Sequence, residues 1–150
     1  MSDERLIATL GQVDLFAGLS PRVLRRIAES GGVGSYEAGT EVIHAGDPVS
    51  GFRVFSHQGV DMHVVLAGSA EVHVHGRTVG TLGAGSYFGE LSLIDGKPRS
   101  ADVLAGPAGM TTFALAKWAF DDILKEHPEV ALPMLRVVAG RLRRAEARPD

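Results

Sequence analysis

Between Phe88 and Ala101 the chain reads FGELSLIDGKPRSA. Gly89 lets backbone approach a bound group closely, because it has no Cβ. Glu90 beside it is an acceptor-only carboxylate. Arg99, nine residues on, carries a planar fork of donors that matches a phosphate, and the amides of Ser100 and Ala101 add donors next to it. Gly89, Glu90 and Leu91 open a short helical turn, whose free N–H groups favour an anion. A carboxylate repels a phosphate, so Glu90 fits this company by accepting hydrogen bonds from sugar hydroxyls. Phosphate and ribose together describe a nucleotide. No P-loop lysine accompanies them, which argues against nucleoside triphosphate hydrolysis.

Other reactive residue types cluster less informatively. His73 and His75 share one face of a candidate strand. In the register favoured below, His63 faces His73 and Asp61 faces His75, a set of donors that suits Zn²⁺ or Ni²⁺. Solvated histidines on an outer sheet face explain the same pattern. Ser86, Ser92 and Ser100 have no histidine within reach as a base. Asp121 and Asp122 are adjacent, so on a helix they do not face each other. The chain reads as non-enzymatic.

The elements that must position these residues follow from periodicity. Leu6, Ile7, Leu10 and Val13 recur at three and four, one face of a helix. A second helix starts at Ser20-Pro21, a capping hydroxyl followed by a proline at the first helical position, and carries Val23, Leu24 and Ile27 inward to Gly31. From Val33 to Leu115 the period becomes two, punctuated by glycines at strand-like intervals; 19 of 150 residues are glycine. Met62, Val64 and Leu66 precede Gly68, and Ala70, Val72 and Val74 follow it. A three-residue loop centred on Gly68 would pair Met62 with Val74 and Val64 with Val72, keeping one face apolar. Beyond Leu115 the helical period returns: Trp118, Phe120, Ile123 and Leu124 make a short helix up to His127-Pro128. Val130, Met134, Val138 and Leu142 then repeat at four. The expectation is one domain over 1–150, helical at 3–31, a β-roll at 33–115 and helices at 117–146.

Together these segments resemble the cyclic nucleotide-binding domain. The likeness runs through LFAGLS from Leu15, the Y-x-x-G-x-x-V-I-x-x-G-D run from Tyr36, Val64-Val65-Leu66, L-x-x-G-x-x-FGEL from Leu82 and the closing helices. It implies an antiparallel β jelly-roll, mainly β with flanking helices. It further implies that Glu90 accepts from the ribose 2′-hydroxyl and that Arg99, with the amides of Leu91, Ser100 and Ala101, holds the cyclic phosphate. Ser100 after the arginine is similar to receptors of cyclic AMP; receptors preferring cyclic GMP often carry threonine there. Val72 and Val79 would line the base side, and Arg141 is the nearest polar residue the last helix offers to the base.

Three departures stand out. The connection from Pro48 to Asp61 is about ten residues longer than the family's usual one, so residues 49–60 read as an insertion, and His63 replaces a common aromatic. The last helix offers the base no Ser or Thr between Glu129 and Asp150. With 15 basic and 18 acidic residues, charge gives no support to nucleic-acid binding. No cysteine is present, so disulfides and thiolate chemistry are excluded. No run spans a bilayer and no secretory signal opens the chain, so a cytoplasmic protein is expected. Eight residues follow Leu142, with no helix-turn-helix, kinase or channel segment. The signal would therefore pass to an effector protein, or to a second copy through the apolar stripe of the last helix. Two other readings of this sequence are an interaction module with an unused pocket and a cupin-like metal protein, although no glutamate follows His75 at the cupin spacing.

Overall fold

The computed structural model describes residues 3–44, 61–97 and 101–147. The expected insertion at 49–60 and the pair Arg99 and Ser100 lie outside them. The chain begins with α1 (Asp3–Gly11), a short 3-10 turn (Asp14–Phe16) and α2 (Pro21–Ser30). Ser20 caps α2 as its type suggests: its hydroxyl accepts from the Val23 amide at 3.3 Å, and Pro21 takes the first helical position. Leu6, Leu10, Val13, Val23, Leu24 and Ile27 are all buried.

Six strands follow: β1 (Gly32–Tyr36), β2 (Glu41–Ile43), β3 (Asp61–Val74), β4 (Arg77–Leu82), β5 (Tyr87–Phe88) and β6 (Asp102–Ala116). The backbone of the fold is the antiparallel ladder between the two long strands, from Asp61 opposite Ala116 to His73 opposite Asp102. Near the helices this ladder is flanked by β1 on β6 and β5 on β3; at its other end it is flanked by β2 on β6 and β4 on β3. The result is an antiparallel β sheet, not closed, with helices packed against it. Between β5 and β6 lies α3 (Glu90–Asp95), and after β6 the helical tail comprises α4 (Lys117–Glu126) and α5 (Ala131–Ala147). Among the described residues, no helix is long and apolar enough to cross a membrane.

The ladder corrects the expected hairpin. Residues 61–74 are one continuous strand, and Met62 faces Leu115 rather than Val74. Gly68 is a bend inside that strand: its φ is +74°, and a Cβ there would strike the Gly109 carbonyl. Register shifts between Val65 and Ala67 and between Gly68 and Ala70 reverse the phase of the side chains. Met62 and Val64 therefore face the helices, whereas Ala70 and Val72 face the interior of the roll. The true hairpin turn is His75-Gly76, where both residues have positive φ, joining β3 to β4.

Each face of the ladder has its own core. Leu10, Phe16, Met62, Phe113, Leu115 and Ile123 lead the larger one, between sheet and helices. Val42, Ile43, Val65, Phe88, Val103 and Met110 lead the smaller one, inside the roll. His63 belongs to this second interior. It is fully buried, stacked on Phe88 at 5.0 Å between ring centres and edge-on to Tyr36 at 6.2 Å, with Nδ1 2.9 Å from the Thr112 hydroxyl. It packs as the expected aromatic would. Trp118 departs from expectation: α4 buries Ala119, Phe120 and Ile123, which leaves Trp118 68% exposed. Val130, in the 3-10 turn Pro128–Val130 that precedes α5, and Met134 on α5 enter the core, and Leu142 is 60% exposed.

Candidate functional site

Strand β5 delivers the chain into the cleft. Tyr87 and Phe88 are both buried, on opposite sides of the ladder, and Gly89 then turns at φ +84° into α3. That φ is open to glycine and costly for other residues, so the turn places Glu90 directly after the strand. At its far end α3 closes on Gly96, φ +71°, whose amide donates to the Ser92 carbonyl at 2.9 Å. Lys97 donates its amide to Asp95 Oδ1 at 2.9 Å. Lys117, the first residue of α4, donates from Nζ to the Leu93 carbonyl at 3.0 Å and pairs with Asp121 at 3.3 Å. The end of α3 is thus tied to the start of the C-terminal helices.

The cleft encloses about 200 Å³ and is open on one side. It brings together five of the residues named from sequence: Gly89, Glu90, Leu91, Ala101 and Val72. Its other walls are Ile43, Leu82, Tyr87, Phe88, Ser92 and Val103. Val79 is not among them; it lies on the outermost strand, β4, and is 61% exposed. Arg141 reaches the cleft's edge from α5 through the acid. Its Nη1 donates to Glu90 Oε1 at 3.0 Å, and its guanidinium carbon lies 4.4 Å over the centre of the Tyr87 ring. An arginine over an aromatic face is attractive in its own right.

Glu90 is accordingly the more buried half of an ion pair partly open to water, its side chain 13% exposed against 35% for Arg141. Only Oε1 is engaged by Arg141, so the carboxylate keeps acceptor capacity on Oε2. Burial, and after it the nearby Asp14 carboxylate, raises the Tyr87 phenol above its ordinary range, with Arg141 pulling the other way. Tyr87 therefore offers Arg141 a neutral ring and no second charge.

Sequence reasoning missed Tyr87, Ile43 and Val103. Val103 was accessible through the alternation of β6, where 103 and 105 point inward. Ile43 was not, because an irregularity between Glu41 and Ile43 turns both Val42 and Ile43 into the interior. The contact of Tyr87 with Arg141, 54 positions along the chain, has no local signal at all.

The expected histidine cluster does not form. His63 is buried opposite Ala114, and Asp61 stands opposite Ala116. His73 lies ten positions further along the same strand, opposite Asp102, and His75 sits in the turn. The continuous strand, not the hairpin, is the reason: it carries His63 and His73 to opposite ends of the ladder.

Comparison with known proteins agrees with this geometry. The profile of the cyclic nucleotide-binding domain family matches residues 33–127. A cAMP-dependent protein kinase regulatory subunit of Debaryomyces hansenii is 33% identical over 122 residues, 81% of this chain and 25% of that protein. The N-terminal domain of a transcriptional regulator from Streptomyces coelicolor A3(2) superposes with a TM-score of 0.75 at 29% identity, covering 95% of this chain and 98% of that one. The Thermus thermophilus catabolite activator protein gives a TM-score of 0.72 at 28% identity, over 89% of this chain and 60% of that one. The chain spans a quarter or less of the length of the first curated relatives it matches. With β5, Gly89, Glu90 and α3 standing as described along a matched stretch of 95 residues, the chain belongs to the cyclic nucleotide-binding domain family.

Proposed function

We propose that the chain is a single sensor domain for cyclic AMP, with no catalytic centre of its own, that signals by conformational change to a protein partner. The observation that carries this reading is the convergence on one cleft of Glu90, the backbone of Gly89 to Leu91, and Ala101, walled by apolar side chains. In it the ribose hydroxyls donate to Glu90. Arg99, with the amides of Leu91, Ser100 and Ala101, takes the cyclic phosphate, and Val72 lies on the base side. Cyclic AMP is favoured over cyclic GMP by Ser100 in place of threonine.

The route outward runs through two contacts. Arg141 binds α5 to Glu90, and Lys117 binds α4 to the end of α3. A nucleotide seated between α3 and β6 shifts both helices by as much as its differential affinity for the two arrangements permits. The receiving surface is an effector protein or a second copy on the exposed side of α5, where Leu132, Leu135 and Leu142 stand unburied.

Isothermal titration with cyclic AMP and cyclic GMP tests the reading. Each charge-assisted hydrogen bond contributes roughly 1.5–3 kcal/mol, so Arg99→Ala weakens cyclic AMP binding by on the order of a hundredfold or more. Unchanged affinity in that variant would overturn the site. No binding of either nucleotide by the unaltered chain would leave an interaction module in its place.

A further inference from the structure

We propose that Glu41, His44 and Asp102 form a site for a divalent transition-metal ion of the Zn²⁺ class, on the outer face of the wall that lines the cleft. His44 Nδ1 lies 2.9 Å from Glu41 Oε1 and 3.4 Å from Asp102 Oδ1. One donor atom from each residue falls within 4.8 Å of the others. Bonds of about 2.0–2.2 Å in a tetrahedral shell put neighbouring ligand atoms roughly 3.3–3.6 Å apart, so the three need to move little to close on an ion. One imidazole and two carboxylates supply two negative charges and a borderline-soft nitrogen, and the fourth position falls to water.

The backbone explains why these side chains meet. In a regular strand, residues 41 and 44 would point to opposite faces. The irregularity between Glu41 and Ile43 sends Val42 and Ile43 together into the core and returns His44 to the face of Glu41. β6 adds Asp102 on that same outer face, since Val103 beside it points into the roll. His73, opposite Asp102, and Glu71 extend the face with a further imidazole and carboxylate on β3. His44 and Asp102 each immediately adjoin a cleft residue, Ile43 and Val103. An ion bound here joins β2 to β6 directly behind the nucleotide wall, and its binding does not depend on a nucleotide.

Titration of the full, tag-free chain with Zn²⁺ by calorimetry, and with Co²⁺ by its visible ligand-field bands, tests the assignment. The chain is expected to take one ion. Loss of an outer-shell partner alone costs about 10–100-fold in metal affinity, so His44→Ala and Asp102→Asn are each expected to weaken Zn²⁺ by at least that much. His44 is 61% exposed and its replacement leaves the core untouched, so the metal-free melting temperature of His44→Ala stays near that of the unaltered chain. The double variant His73→Ala/His75→Ala keeps the ion. The proposal fails if the unaltered chain takes no ion, if His44→Ala binds Zn²⁺ as the unaltered chain does, or if binding is lost with His73 and His75 instead.

Discussion

The two faces of the β3–β6 ladder bury cores of different extent for different ends. On the helix side, Phe16, Phe113, Leu10, Leu115 and Ile123 interlock with every long helix of the chain. Inside the roll a smaller set of buried side chains (Val42, Ile43, Val65, Phe88, Val103 and Met110 among them) forms the core, which ends at an open cleft. Hydrophobic stabilisation scales with apolar area removed from water, so the helix side carries most of the folding free energy. The roll side stops short of filling itself. On the proposed function the nucleotide fills it, and this division would let the cleft respond to occupancy without the domain unfolding.

The largest effect that tests this division is on stability. Phe113→Ala empties the centre of the helix-side core, where Phe113 is 1% exposed, and is expected to cost about 3–5 kcal/mol. Val103→Ala on the roll side removes two methyl groups and is expected to cost about 1.6 kcal/mol at roughly 0.8 kcal/mol per buried carbon. Urea unfolding measures both. Equal costs would mean that the two cores are energetically one, and the contrast drawn above would not stand.

The same two faces differ in how much of them the sequence revealed. The helix side was legible almost throughout, because Ser20-Pro21 and the three- and four-residue spacings are local signals that the packing obeys. On the roll side the sequence placed residues together but not the path of the chain: Gly89 and Glu90 do line one cleft. Gly68, flanked by two alternating runs of the same parity, reads as a turn; two register shifts let both runs stay apolar while facing different cores. His63 reads as an outer-face residue for the same reason, since nothing local says that this strand is covered on both sides. Irregularities in a ladder are set by the partner strand, and a single chain segment does not announce them.

A smaller effect sharpens the contrast from the binding side. Arg141 holds Glu90 through one oxygen while resting on Tyr87. Removing it frees the carboxylate to rotate, and the ribose must then order it at its own expense. The pair is partly open to water, so its worth is nearer 0.5–1 kcal/mol than the ~1.5–3 kcal/mol of an enclosed charged hydrogen bond. Arg141→Ala is therefore expected to weaken cyclic AMP by roughly two- to fivefold, with the urea midpoint displaced far less than by Phe113→Ala. Tighter binding in the variant would show instead that Arg141 competes with the nucleotide for Glu90.

The smallest effect belongs to the helix side's own surface. Arg26 of α2 donates to both oxygens of Glu126 on α4, at 2.9 and 3.1 Å. That hydrogen bonding is the first cause holding the Glu126 carboxyl below its ordinary value of 4.5, and it raises the Arg26 guanidinium in turn. A carboxyl depressed on folding contributes stability that is present above its unfolded value and fades as pH falls through the folded one. The pair sits in water, where such bridges contribute little. Glu126→Gln is thus expected to lower the urea midpoint slightly at pH 7, and the difference from the unaltered chain should shrink on acidification below pH 4.5. If the variant instead lost as much at pH 7 as Phe113→Ala does, the α2–α4 contact would rest on its charges, and packing would no longer account for the firmness of the helix side.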